Sequence, residues 1–331
     1  MLNRGALTFL IIVLMIGSAL MFRPATAKED GDSYTYLPLV IGGSDATPAP
    51  PPEPIAVPNG LAFIEGNSVT GFFENNQIEE VSLATFNDAT VCAGILWIAD
   101  NNGIGYVTAQ GVSYVSNVVT TVIASHQKTD TCYITLVDSN LRLVVYSISD
   151  LTLTEEWSQA LLSNMNPLID IELVALDEVY VSSALGISKV QPQMHQFYSP
   201  IGDVVDFEVS ANYVVFVSDA GVPEIYVISR DPWQEVGRSE NTFGFLTKLN
   251  GIAVSSDESE ILVTVSTFTQ QFSVESYDFG FMQICAETYQ ADSATYFNGN
   301  FYVGDEGLST VQNCQITNSW PTTEVITNFI K

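Results

Sequence analysis

The stretch Val215-Phe216-Val217-Ser218-Asp219 passes through a short turn and continues as Ile225-Tyr226-Val227-Ile228-Ser229-Arg230-Asp231-Pro232. β-Branched and aromatic residues fill both runs, while Asp, Ala and Gly fill the break. That is the composition of two strands joined by a turn. One such unit could belong to many folds; its recurrence along the chain narrows the choice.

Copies of the unit lie on both sides. Leu96-Trp97-Ile98-Ala99-Asp100 leads to Gly105-Tyr106-Val107, and Ile134-Thr135-Leu136-Val137-Asp138 leads to Leu143-Val144-Val145-Tyr146. Val179-Tyr180-Val181-Ser182-Ser183 leads to Gly186-Ile187-Ser188. Ile261-Leu262-Val263-Thr264 leads to Phe272-Ser273-Val274, and Phe301-Tyr302-Val303-Gly304-Asp305 leads to Gly307-Leu308-Ser309. An earlier copy is read at Leu61-Ala62-Phe63-Ile64, leading to Phe72-Phe73. Anchors at 100, 138, 183, 219 and 305 are separated by 38, 45, 36 and 86 residues, and the last gap holds the copy near Val265. A period near 40 with almost no helical patterning predicts an all-β repeat fold, a β-propeller of four antiparallel strands per blade. Seven blades fit over residues 59–331, with six or eight as the neighbouring counts. A β-sandwich of this size would have no reason for a fixed period. A four-stranded blade buries its faces only against other blades, so the copies must stack round a ring. The ring must close, and the N-terminal strand around Ile55–Ala62 or the C-terminal strand around Glu324–Ile330 is the candidate for completing a blade with strands from both ends.

The copies resemble the LVIVD-type propeller repeats of secreted bacterial proteins, most clearly at Leu136–Asp150 and Val215–Pro232, and are similar to the tyrosine-valine repeats of surface-layer proteins. Ser183 replaces the repeat's Asp, and the Ile261 copy lacks both Asp and Gly. The resemblance implies a fold, not an activity.

Residues 1–27 read as a signal peptide. Arg4 precedes an apolar run from Ala6 to Phe22, and Ala25-Thr26-Ala27 is a small-x-small cleavage pattern. The competing reading is an uncleaved membrane anchor, since the run reaches the lower length limit of a span. Tyr36-Leu37-Pro38-Leu39-Val40 resembles a motif that follows the signal in exported proteins of filamentous bacteria. Residues 28–58 read as a polar and then Pro-rich linker, with Pro48-Ala49-Pro50-Pro51-Pro52 favouring extended polyproline II outside any sheet ladder. Export makes the protein secreted or displayed at the cell surface. It also makes the four cysteines, Cys92, Cys132, Cys285 and Cys314, a disulfide framework. Four cysteines allow three pairings. Separations of 40 and 29 residues suggest Cys92–Cys132 and Cys285–Cys314, each stapling neighbouring repeats.

The chain carries 38 acidic and 10 basic residues, a net charge of −28. It holds no Lys/Arg cluster, which argues against nucleic acid, and its acidity argues against an anionic membrane surface. Solubility by self-repulsion explains that acidity, and Ca²⁺ is the ion it would suit. Asp100, Asp138, Asp219 and Asp305 recur at one repeat position. They form either a ring of carboxylates facing a channel, as metal candidates, or a set of turn residues accepting backbone N–H bonds; a repeated position favours the repeated structural role. His126 and His195 read as surface-loop residues without a nucleophile beside them. Trp97, Trp157, Trp233 and Trp320 fit packing between blades better than exposed sugar platforms. No catalytic residue and no cofactor is assigned. The leading expectation is an exported, non-enzymatic propeller that binds a protein or glycan through loops on one face. The alternatives are a Ca²⁺-dependent hydrolase resembling the gluconolactonase-type propellers, and a structural envelope component.

Overall fold

In the run Val214-Val215-Phe216-Val217 every side chain is buried. A strand sends successive side chains to opposite faces, so an unbroken apolar run needs apolar cover on both. Val214 and Phe216 pack into one hydrophobic cluster with Tyr180 and Val204, while Val215 and Val217 pack into another with Ile252 and Val263. The strand is thus the middle of a sheet wedged between two others.

A computed structural model shows the consequence over the whole repeat region. It describes residues 51–54, 60–65, 68–73, 78–82, 86–163, 165, 167–240, 242–322 and 325–330. The signal read at 1–27 and residues 28–50 of the linker lie outside them. The described chain is all β: seven four-stranded antiparallel sheets, each a blade. Blade 1 combines Gly60–Glu65, Ser68–Phe73 and Ile78–Ser82 with the C-terminal strand Ile326–Ile330, which is its innermost. Phe63 pairs with Phe329 in that closure, and their rings meet edge to face at 6.2 Å. Blades 2 to 7 follow in order, beginning with innermost strands Asp88–Cys92, Ile123–Lys128, Leu168–Ala175, Asp203–Val209, Thr247–Val254 and Ser293–Phe297. These inner strands touch their neighbours all the way round.

The core is correspondingly divided. Seven hydrophobic clusters sit one at each blade boundary. All four tryptophans belong to them: Trp97 between blades 2 and 3, Trp157 between 3 and 4, Trp233 between 4 and 5, and Trp320 between 7 and 1. Trp157 also donates its indole N–H to the Leu176 carbonyl of the next blade at 2.6 Å. Both disulfides cross boundaries. Cys92 pairs with Cys132 across blades 2 and 3, and Cys285 with Cys314 across blades 6 and 7.

Two expectations need correction. His126 and His195 lie in strands, not loops: Ile123–Lys128 of blade 3 and Met194–Tyr198 of blade 4. The end of the Pro-rich segment lies against blade 2 instead of standing clear of the sheets. Pro54 forms an isolated antiparallel bridge with Thr108, and the Tyr106 hydroxyl donates to the Pro52 carbonyl at 3.3 Å. Proline cannot donate to a ladder, but its carbonyl remains free to accept, so it is tolerated beside a strand end.

Candidate functional site

In every blade the innermost strand starts on the same side of the ring, the side that also carries the turns between second and third strands. Three of those starts share a pattern: Asp88-Ala89-Thr90-Val91, Asp170-Ile171-Glu172-Leu173 and Asp206-Phe207-Glu208-Val209. In blades 4, 5 and 6 the pairing with the second strand slips by one residue between Leu168 and Asp170, Val204 and Asp206, and Leu249 and Gly251. A bulge turns the extra residue out of the ladder and re-aims its neighbours. Ile169, Val205 and Asn250 are those extra residues, and all three line one cavity of about 420 Å³. Residues of all seven blades contribute to its wall, from Ile64 in blade 1 to Ser293 in blade 7, so it is the axial mouth of the propeller.

Carboxylates ring this mouth: Asp88, Asp170, Asp206 and Asp292. Much of their bonding is to backbone. Asp88 accepts the N–H groups of Ala89 and of Ile123 in the next blade, each at 2.8 Å. Asp206 repeats the arrangement with Phe207 at 2.8 Å and Ile252 in the next blade at 2.9 Å. Asp170 accepts from Ile171 at 2.7 Å. The acidity is therefore partly structural, since it stitches inner strands that share no ladder. Asp88 keeps a little surface on the cavity, yet sits deep enough that burial, reinforced by the charge on Asp170, pushes its carboxyl up to about 8 against the pull of its two N–H donors. Burial and the nearby Asp305 raise Asp292, with Lys248 opposing them.

The four aspartates singled out from the repeat are on this face but in the turns outside the axial wall. Asp100 accepts from the Asn102 and Gly103 amides at 2.6 and 3.1 Å, Asp138 from Asn140 and Arg142 at 2.8 and 3.0 Å, and Asp219 from Gly221 at 2.7 Å. Asp305 is buried, and its backbone N–H donates to the Gly307 carbonyl at 3.1 Å. These are turn-closing bonds, and the four side chains sit in four different blades. Gly103 shows how tight such a turn is. At φ +130° it is in a region L residues avoid, and a Cβ there would lie 2.0 Å from the Ser116 carbonyl. Among the described residues, no three His, Cys, Asp or Glu side chains are grouped to hold a metal ion. His195 Nε2 lies 2.8 Å from Ser188 Oγ, but Ser188 is fully buried inside blade 4, out of reach of a substrate.

The same face has a second property that the repeat pattern does not announce. Val119, Leu162, Leu185, Ile201, Phe245, Leu246, Phe268 and Val325 are exposed, and all stand in its loops and turns. Phe268 is 82 % exposed, Phe245 76 %, Ile201 64 % and Leu246 58 %. Among the described residues, Met282 is the exposed large apolar side chain in a turn of the opposite face, and Tyr114, Met194, Val236 and Ile284 belong to outermost strands. Apolar exposure in turns is thus concentrated on the mouth face.

No family model matches the chain, and no curated protein matches it. Solved structures do match in fold. The WD40 repeats of RRP9 superpose with a TM-score of 0.57 at 9 % identity, covering 81 % of this chain and 88 % of that one. BamB from Moraxella catarrhalis gives 0.52 at 12 % identity, covering 85 % and 88 %. A chain of a nidogen/laminin complex gives 0.51 at 9 % identity, covering 82 % and 97 %. At such identities the likeness is one of architecture alone.

Proposed function

We propose that this chain is an exported, non-enzymatic recognition propeller that binds a protein partner through the face around its axial mouth. The observation that carries the reading is the polarity of the surface. Large apolar side chains are exposed on the turns of that face and are sparse on the turns of the other. A ring of blades holds such loops on a rigid frame, which suits recognition. Two disulfides across blade boundaries suit an oxidising compartment outside the cytoplasm. That a similar propeller occurs in a nidogen/laminin complex is compatible with a binding role. Among the described residues no helix is long and apolar enough to cross a membrane.

The hydrolase alternative asks for carboxylates converging on one ion. Asp88 and Asp206 instead aim theirs at amides of the neighbouring blade.

Affinity capture from the cells that make the protein tests the reading. Native chain and the opposite-face variant Met282→Lys should retain the same partner. The mouth-face variant Leu185→Lys/Ile201→Lys should lose it. Equal capture by both variants, or loss only with Met282→Lys, contradicts the reading.

A further inference from the structure

Two turns of blade 6 present apolar side chains where turns ordinarily carry polar ones. Phe245 and Leu246 are the central residues of a turn closed by the Thr247 N–H on the Gly244 carbonyl at 3.0 Å. Phe268 follows the second strand of the blade, in a turn closed by Gln270 N–H on the Thr267 carbonyl at 2.9 Å. The two turns are joined, because the Phe268 N–H donates to the Leu246 carbonyl at 3.1 Å. The three exposed side chains therefore stand on one hydrogen-bonded support.

That support borders a groove of about 820 Å³ walled by Phe243, Val265, Phe272 and Tyr289, with Glu275 as its charged member. Its aromatic walls are anchored from behind. Phe243 packs edge-on against Tyr277 at 5.6 Å, and the Tyr289 hydroxyl is bonded to Ser309 of blade 7 at 2.7 Å. Threonine, serine and glutamine side chains fill the rest of the lining, so the groove offers aromatic contact and hydrogen bonding together.

Resting on the recognition reading above, we propose that this groove and its Phe245–Leu246–Phe268 lip are the anchor subsite, and that the occupant is a polypeptide segment pairing large apolar side chains with Lys or Arg. The apolar part answers the lip and walls. The cationic part answers Glu275, whose carboxylate is held in the groove by the Ser273 and Tyr277 hydroxyls and the Gln283 amide, and the field of a chain whose net charge is −28. The same charge disfavours the rival occupants of an apolar lip, since a second copy of the chain and an anionic lipid surface would both be repelled.

Fluorescence anisotropy with the full chain and three labelled peptides tests this. The probe alternates Lys with Phe and Leu; one control replaces Phe and Leu by Ser, and the other replaces Lys by Glu. The probe should bind at least tenfold more tightly than either control. Phe245→Ser/Phe268→Ser should weaken the probe tenfold or more while leaving the weak lysine–serine control unchanged. Both side chains point into solvent, so the variant should melt like the native chain, and Leu246→Asp provides a second, independent lesion. Unchanged probe affinity in both variants would overturn the proposal, as would a lysine–serine peptide that binds as tightly as the probe. If these variants still capture the natural partner but Leu185→Lys/Ile201→Lys does not, the anchor assignment fails and the recognition reading stands. If neither set of variants affects capture, both fail.

Discussion

The carboxylate of Asp88 in blade 2 accepts the amide N–H of Ile123 in blade 3 at 2.8 Å. The bond crosses a boundary where two strands lie side by side without a ladder, so a side chain supplies what backbone pairing cannot. The arrangement returns between Asp206 and Ile252 at 2.9 Å, between blades 5 and 6. Two of the acids that ring the axis, Asp88 and Asp206, thus fasten inner strands of neighbouring blades.

Asp88 gives the fold a dependence on pH opposite to that of an ordinary ion-paired carboxylate. Its folded value, near 8, is above the value of about 3.9 expected for an unfolded Asp. Between those values the native chain holds a proton that the unfolded chain has released, so stability falls as pH rises from about 4 to about 8 and levels off above. Asp88→Asn removes this contribution. Melting temperatures at pH 5 and pH 8 should differ less in the variant than in the native protein; equal differences would contradict the assignment.

Glu178 makes the opposite prediction. Desolvation pulls its carboxyl upward, but the Tyr180 hydroxyl and the Arg230 guanidinium outweigh it and hold it below the ordinary glutamate value. Arg230 of blade 5 lies 2.9 Å from Glu178 of blade 4, and Lys189 lies 3.6 Å away. A depressed value contributes stability above the unfolded pKa, lost as pH falls through the folded one. Glu178→Gln should therefore flatten acid destabilisation below about pH 4.5. At neutral pH it should cost about 3 kcal/mol in urea titration, because two largely buried cations lose their partner.

Trp97 separates area from hydrogen bonding. It is fully buried, edge-on to Tyr106 at 5.7 Å, and its indole N–H has no acceptor among the described residues. Trp97→Ala should cost about 3–5 kcal/mol by cavity formation. Trp97→Phe should cost under about 1.5 kcal/mol, since it keeps most of the packing and removes an unsatisfied donor. Chemical denaturation of both variants reads the difference.

The disulfides should act as covalent versions of the same inter-blade stitching. Cys92–Cys132 closes a separation of 40 residues and Cys285–Cys314 one of 29. Chain-entropy arguments put each near 4 kcal/mol. Cys92→Ala/Cys132→Ala should lower the melting temperature without altering the mouth face, because Cys92 and Cys132 stand at the ends of their strands away from it. Probe binding in the stapled and unstapled proteins should match at temperatures where both are folded.

The blades were legible because Val215 and Phe216 belong to different clusters. Burial on both faces produces dense apolar runs, and dense runs recurring near 40 residues point to one architecture. The axial aspartates were less legible. Asp88, Asp170 and Asp206 mark three blades of seven at uneven intervals, and the bulges at Ile169 and Val205 break the register that would align them. The pattern Asp-apolar-x-apolar at strand starts was the available signal. Asp100, Asp138, Asp219 and Asp305 stood out instead because turn closure recurs more regularly than channel geometry. Phe245, Leu246 and Phe268 were hidden by their own chemistry, since an aromatic in a β-rich sequence reads as core until the fold shows that its turn points outward.

Whether the mouth face is the recognition face is decided most directly by photo-crosslinking from both sides of the ring. A crosslinking side chain placed at Asn140 or Ala220 stands in mouth-face turns, and one at Asp130 or Asn298 stands in turns of the opposite face. In the producing cells, the first pair should trap one discrete partner protein and the second pair should trap none. A partner trapped from Asp130 or Asn298 but not from Asn140 or Ala220 would contradict the account.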